Sequence, residues 1–181
     1  MASPGKRILI IIENLPAPFD RRVWQEAVSL KKAGYEITII CPTGKGYEKK
    51  FEVIDDIYIY RHPLPIEAGR TIGYLYEYSF ALFWEFVLSI KVFFGRGFDA
   101  IHACNPPDLL FLVALPYKLL FGKKFVFDHH DINPELYLAK KGRGGVFYKL
   151  LILLEKLTFK VADISIATNE SYKEIALRRG G

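Results

Sequence analysis

The chain has 181 residues, 51% hydrophobic and 25% charged, which excludes a disordered protein and supplies enough apolar material for an ordinary core. Lys and Arg total 25 against 20 Asp and Glu, a formal net charge of +5. That excess is too mild and dispersed for nucleic acid, so no nucleic-acid partner is expected, but it suits anionic ligands or an acidic membrane surface. Cys41 and Cys104 lie far apart, without metal or redox spacing, and fit a reducing compartment.

Residues 1–7 lead straight into Ile8–Ile12, an apolar run too short for a signal core, so a cytoplasmic protein is expected. The unbroken apolar stretch 7–13 predicts a central parallel strand covered on both faces. Two prolines make 14–19 a loop. Asp20 is placed as an N-cap, with Phe19 and Trp24 at the two positions of a hydrophobic staple. Val23, Ala27 and Leu30 line one stripe of a helix that Gly34 ends. Residues 35–41 form the second strand, stopped by Pro42. After the polar loop 43–50, two short strands, 51–54 and 57–61, flank an Asp55-Asp56 turn. Past Pro63 and Pro65 comes a long aromatic helix, 71–94, interrupted by Glu77, Glu85 and Lys91. A membrane span wants about 18 or more uncharged residues, so this helix reads as buried or surface-lying.

Residues 99–104 read as another buried strand, and Asn105-Pro106-Pro107-Asp108 opens a helix to Phe121. The strand 124–128, the loop 129–134, a Lys- and Gly-rich stretch 140–145, the helix 146–161, the strand 163–167 and the helix 169–178 follow. The alternation predicts an α/β protein: a doubly wound, mostly parallel sheet with helices on both faces, one domain over 1–181, and ligands at the carboxyl ends of its strands. The chain stops directly after a helix, which reads as a cut.

No Gly-x-Gly-x-x-Gly follows the first strand, and no P-loop is present, so neither nucleotide fingerprint applies. Arg21 and Arg22 fill the first turn of the first helix, where the macrodipole prefers negative charge. Either an anion bound at the helix start offsets them, or they point into water or pair with Glu26 or Asp20. Asn14 belongs to the same loop. The densest constellation is Asp128-His129-His130-Asp131, with Asn133 and Glu135 just beyond. Three roles compete there: metal ligands, a polar pocket for a sugar or phosphate, or a structural turn. Asn105, Asp108 and His102 form a weaker cluster, with Asp108 read as a helix N-terminal residue and His102 as core. Gly142-Arg143-Gly144-Gly145 reads as a connector before it reads as a phosphate cradle. Lys149, Lys156 and Lys160 on the apolar helix 146–161 suit an anionic membrane, though core is the plainer reading of its apolar face. The aromatic helix is read the same way: core or partner surface first, membrane second.

Taken in order, several segments resemble family 4 glycosyltransferases. Lys6-Arg7-Ile8-Leu9-Ile10, Pro18-Phe19-Asp20-Arg21-Arg22-Val23 and Gly34-Tyr35-Glu36-Ile37-Thr38-Ile39-Ile40-Cys41-Pro42 look like the family's opening. Phe98-Asp99-Ala100-Ile101-His102-Ala103, Val126-Phe127-Asp128-His129-His130-Asp131 and Val161-Ala162-Asp163-Ile164-Ser165-Ile166-Ala167-Thr168-Asn169-Glu170 continue it. The resemblance implies the GT-B fold, two Rossmann-like domains facing across a cleft, of which this chain matches the N-terminal, acceptor side. It implies retaining transfer from a nucleotide-sugar to a polysaccharide or lipid-linked glycan, with no cofactor and no obligatory metal. It also implies that the donor is held by a C-terminal domain absent from these residues, so the fragment alone would catalyse little. His130 matches the family's His near the transferred sugar. Asn14, Arg21, Arg22, Asn105, Asp131 and Glu135 are the expected substrate-binding residues. The loop 14–22 lacks the glycines many members carry, which leaves the anion contact to Arg21 and Arg22. The expected place is the cytoplasm, with peripheral contact on the inner face of a membrane.

Three other readings stand beside this one. Asp128-His129-His130 spells the motif of DHH phosphoesterases, although aspartates are missing at the end of the first strand, where Glu13-Asn14-Leu15 stands. A non-catalytic membrane-associated binding module and a sugar-nucleotide epimerase of the same two-domain fold complete the set.

Overall fold

The computed structural model describes residues 6–64, 71–142 and 144–180, with the side chains of 71–75 set aside. Pro65 and Arg143 therefore lie outside the described residues. The chain divides into two compact units, Met1–His102 and Ala103–Gly181, each with α/β character and mostly parallel strand pairing.

In the first unit β1 (Arg7–Ile12) pairs in parallel with β2 (Glu36–Pro42), Arg7 opposite Glu36 and Ile11 opposite Ile40. Leu9, Ile10, Ile11, Ile39 and Ile40 are fully buried, which is why these strands read as unbroken apolar runs. The helix between them, α1 (Arg21–Lys32), starts as expected: the Asp20 carboxylate accepts from the Val23 N–H at 3.1 Å. Phe19 does not behave as a staple. Closure of the preceding turn, where the Asp20 N–H donates to the Pro16 carbonyl at 3.0 Å, leaves its ring 59% exposed and 6.3 Å from Tyr47.

β3 (Phe51–Ile54) and β4 (Ile57–His62) form an antiparallel hairpin with a two-residue turn, and β4 continues the sheet in parallel with β2. Asp55 and Asp56 take φ of 49° and 54°, the left-handed pair that a type I′ turn demands. The Lys31 ammonium holds this turn through the Asp56 carboxylate, at 2.6 Å, and the Asp55 carbonyl. The long α2 (Thr71–Gly95) packs on β2 and β4. Gly97 follows it at φ +72°, where a Cβ would lie 2.5 Å from the Arg7 guanidinium. That guanidinium is committed to the Arg96 carbonyl at 2.8 Å and the Asp99 carboxylate at 3.3 Å.

The division falls inside β5 (Ala100–Cys104). The second unit then runs α3 (Phe111–Phe121), β6 (Lys124–His129), α4 (Asn133–Lys141), α5 (Val146–Val161), β7 (Ile164–Ala167) and α6 (Glu170–Gly180). β6 and β7 are parallel, Val126 opposite Ile164 and His129 opposite Ala167. Phe125 and Phe127 are buried with Val113, Ala114 and Tyr117 of α3, and Phe127 meets Phe159 of α5 edge-on at 5.2 Å. Asp163 joins β6 to the start of β7: its carboxylate accepts from the Phe125 N–H and its own N–H donates to the Phe125 carbonyl, both at 2.8 Å.

Two expectations need correction here. Asp108 does not start a helix: α3 begins at Phe111 with no side-chain cap, because the Asp108 carboxylate is already taken by Asn105 and Asn133. Residues 133–141, given no helix by the sequence reading, form α4. It begins with Pro134 in its first turn and Glu135 beside it, and ends at Gly142 in the left-handed region, φ +69°.

Candidate functional site

In the first unit, the loop after β1 is tied down from below. The Ala17 N–H donates to the Cys41 sulfur at 3.4 Å, and the Arg61 guanidinium donates to the Ala17 carbonyl at 2.6 Å. Arg61 is buried and ion-paired with Glu52 at 2.6 Å, with a third contact to the Lys49 carbonyl at 3.1 Å. Burial pushes the Cys41 thiol up to about 11, so this cysteine is a packing and hydrogen-bonding group. Gly44 lets the 43–47 loop close on Pro16, since a Cβ there would sit 2.8 Å from the proline ring. On this base Asn14 is exposed. The two arginines part company: Arg22 pairs with Glu26 one turn on at 3.1 Å, whereas Arg21 faces solvent. Glu26 also lies 3.8 Å from Nε2 of His102, which is buried as expected.

At the end of β1 stands an acidic group that the sequence reading named only as the place where phosphoesterase aspartates are missing. Glu13 is 2% exposed, with one carboxylate oxygen lacking a hydrogen-bond partner. Burial first, then the charge of Glu77, pushes it up to about 8. Glu85 of α2 is fully buried with neither oxygen hydrogen-bonded, and burial, reinforced by Glu13, holds it well above the usual carboxylate range. The available signal was a charge inside each of two otherwise apolar segments.

The second unit gathers its polar residues around Asn105, which is buried. Its side-chain oxygen accepts from the N–H groups of His130, at 2.9 Å, and Asp131, at 3.0 Å. Its amide donates to the Asp108 carboxylate at 3.0 Å and to the Asp131 carbonyl at 2.6 Å. The other Asp108 oxygen accepts from Asn133 at 3.0 Å. Burial raises Asp108 to about 6, against the lowering effect of those two amide bonds. The loop after β6 is thus fixed by one side chain that follows β5.

The Asp128-His129-His130 triplet does not converge on one point. His129 is fully buried, its Nε2 3.0 Å from Glu155 of α5 and its ring 5.0 Å from Phe159. His130 keeps 16% of its side chain exposed, and its Nδ1 lies 3.3 Å from a carboxylate oxygen of buried Asp128. With a proton on Nδ1 donated to Asp128, Nε2 is an acceptor for an incoming hydroxyl. Asp131 contributes main-chain groups to the Asn105 network. Glu135, expected to bind substrate, is instead gripped by Arg179 of α6, which also holds Glu155 at 2.5 Å. Sequence reasoning missed both Glu155 and Arg179, whose pairing spans 24 residues. The second unit therefore brings His130, Asn105 and Asp131 together, and the first unit holds Asn14, Arg21 and Arg22.

Residues 20–181 match the model of Glycosyltransferase Family 4. Chitobiosyldiphosphodolichol beta-mannosyltransferase of Candida albicans is 27% identical over 171 residues, 88% of this chain and 36% of that protein. The chain thus spans about a third of the length of this curated relative. Among solved structures, sucrose-phosphate synthase from Thermosynechococcus elongatus superposes with a TM-score of 0.68 at 16% identity, over 96% of this chain and 45% of that one. Glycyrrhiza uralensis UGT73P12 superposes with a TM-score of 0.59 at 10% identity, over 97% and 47%. At these identities the two structures speak for the fold.

Proposed function

From the premise that the chain belongs to glycosyltransferase family 4, we propose that it is the acceptor-side half of a retaining enzyme moving a sugar from a nucleotide-sugar to a glycan or lipid-linked acceptor. The observation that carries the reading is His130. Asp128 sets its tautomer, Asn105 sets its backbone, and its outer nitrogen is left for substrate. Held this way, Nε2 accepts a sugar hydroxyl and fixes the ring it belongs to, which lowers the barrier by orientation. Arg21, exposed at the N-terminus of α1, supplies a cation at the positive end of the helix dipole, which suits a phosphate oxygen. Asn14 offers a neutral amide to acceptor hydroxyls. Lipid linkage of the acceptor draws on the name of the Candida relative, a mannosyltransferase acting on a diphosphodolichol-linked chitobiose. The donor is assigned to a further domain, in keeping with the share of that relative this chain covers.

The test is turnover by the enzyme expressed from its whole reading frame. His130→Ala is expected to lower kcat about 100-fold, the size of effect seen on removing one oriented hydrogen-bonding group, with the fold unchanged by circular dichroism. Wild-type turnover in that variant would overturn the assignment.

A further inference from the structure

The polarity of α2 is turned inside out. Its face toward β2 and β4 presents Ala81, Glu85, Ser89 and Val92, all buried. Phe83, Phe86, Val87, Ile90 and Phe94 are exposed, Phe94 by 81%. Their spacing of three and four residues makes them one stripe along the helix. A helix serving a water-exposed domain sorts its residues the other way, apolar inward and polar outward.

Charge is sorted with the same sense. Glu85 is sealed inside, whereas Lys91 is exposed within the apolar stripe, its ammonium 5.4 Å from the Tyr60 ring. Large apolar groups and a cation face outward while an acid faces inward, which is the complement of an anionic lipid surface. In the second unit, the outer face of α5 carries a similar mixture: Leu150, Leu153 and Leu157 are exposed among exposed Lys149, Lys156 and Lys160, while its inner face keeps Phe159 and the ion-paired Glu155.

We infer that the outer face of α2 docks on an anionic lipid bilayer, its aromatic and aliphatic stripe entering the boundary between headgroups and acyl chains. The segment Tyr76–Gly95 has the length and composition to cross a membrane. Because its other face is committed to the sheet, it lies along the surface instead. A second copy of the chain would also cover the stripe, and a concentration-dependent dimer is the outcome that would reveal it.

The test is co-sedimentation of the full chain with vesicles of phosphatidylcholine containing about a third phosphatidylglycerol. It needs no turnover, so its outcome is independent of the transferase reading. The chain is expected to pellet with these vesicles at low salt and to be released as salt rises. Phe86→Asp with Phe94→Asp, both at exposed positions, is expected to lower the bound fraction at least about tenfold. Lys91→Glu is expected to weaken binding to anionic vesicles. Trp84, on α2 itself, is expected to be quenched by brominated lipid in the unmutated chain, a readout that survives should either variant fold poorly. No binding at low salt, binding indifferent to the substitutions, or a concentration-dependent dimer that the double variant dissolves would overturn the proposal.

Discussion

The side chain of Asn105, itself buried, uses all four of its hydrogen-bonding positions, two as acceptor and two as donor. An amide is the group that fits, because the site asks for two acceptances and two donations within one planar head. Asn105→Ala strands the His130 and Asp131 N–H groups and one oxygen of Asp108, and is expected to destabilise by about 3 kcal/mol. Asn105→Asp keeps the acceptors but replaces the donor with an oxygen facing the Asp108 carboxylate. It is therefore expected to be the worse of the two at pH 8 and to approach the alanine variant at pH 5, where Asp108 is protonated. Urea denaturation followed by far-UV circular dichroism at the two pH values reads the difference. The same residue shows what spacing alone could not convey: sequence singled out Asn105 and His130, but the bond joining them spans 25 positions.

At the scale of elements, local chemistry was readable wherever one short stretch decides the outcome. Asp20 caps α1 because it stands immediately before a helical stripe and nothing else competes for its carboxylate. Asp20→Ala is accordingly expected to cost about 1 kcal/mol, seen as a lowered urea midpoint in tryptophan fluorescence, since both tryptophans, Trp24 and Trp84, belong to the first unit. Asp108 resembled such a cap in sequence, yet its partners lie at 105 and 133, so its local signal misled. The helix α4 escaped notice because nine residues give too few turns for a periodicity to stand out, although Pro134 and Gly142 mark both its ends. Hydropathy identified α2 as a long apolar helix and could not say which side faces the sheet. Only packing reveals that Glu85 is inside and Phe94 outside.

For the molecule as a whole, the buried acids set how stability responds to pH. Glu13, at about 8, titrates far above its unfolded value, near 4.3. Between those values the folded chain holds a proton that the unfolded chain has released, so stability falls as pH rises. Glu85 acts in the same direction. His62 has the opposite sign: burial lowers its pKa, so the folded chain keeps it neutral and loses stability only as pH falls below the unfolded value near 6.5. Asp108, at about 6, has completed most of its change by pH 6.5. The interval from 6.5 to 8 therefore isolates the two glutamates of the first unit. Each group protonated there costs about 1.4 kcal/mol per pH unit, so Glu13 alone is expected to make the unit about 2 kcal/mol less stable at pH 8 than at pH 6.5. Glu85→Gln removes one of these protons, because the amide does not titrate. It is expected to leave stability nearly unchanged at pH 5, to raise it at pH 8, and to flatten the slope between. Urea unfolding monitored by tryptophan fluorescence reports this unit, and a slope identical in wild type and Glu85→Gln would show that the carboxyl stays ionised in the fold.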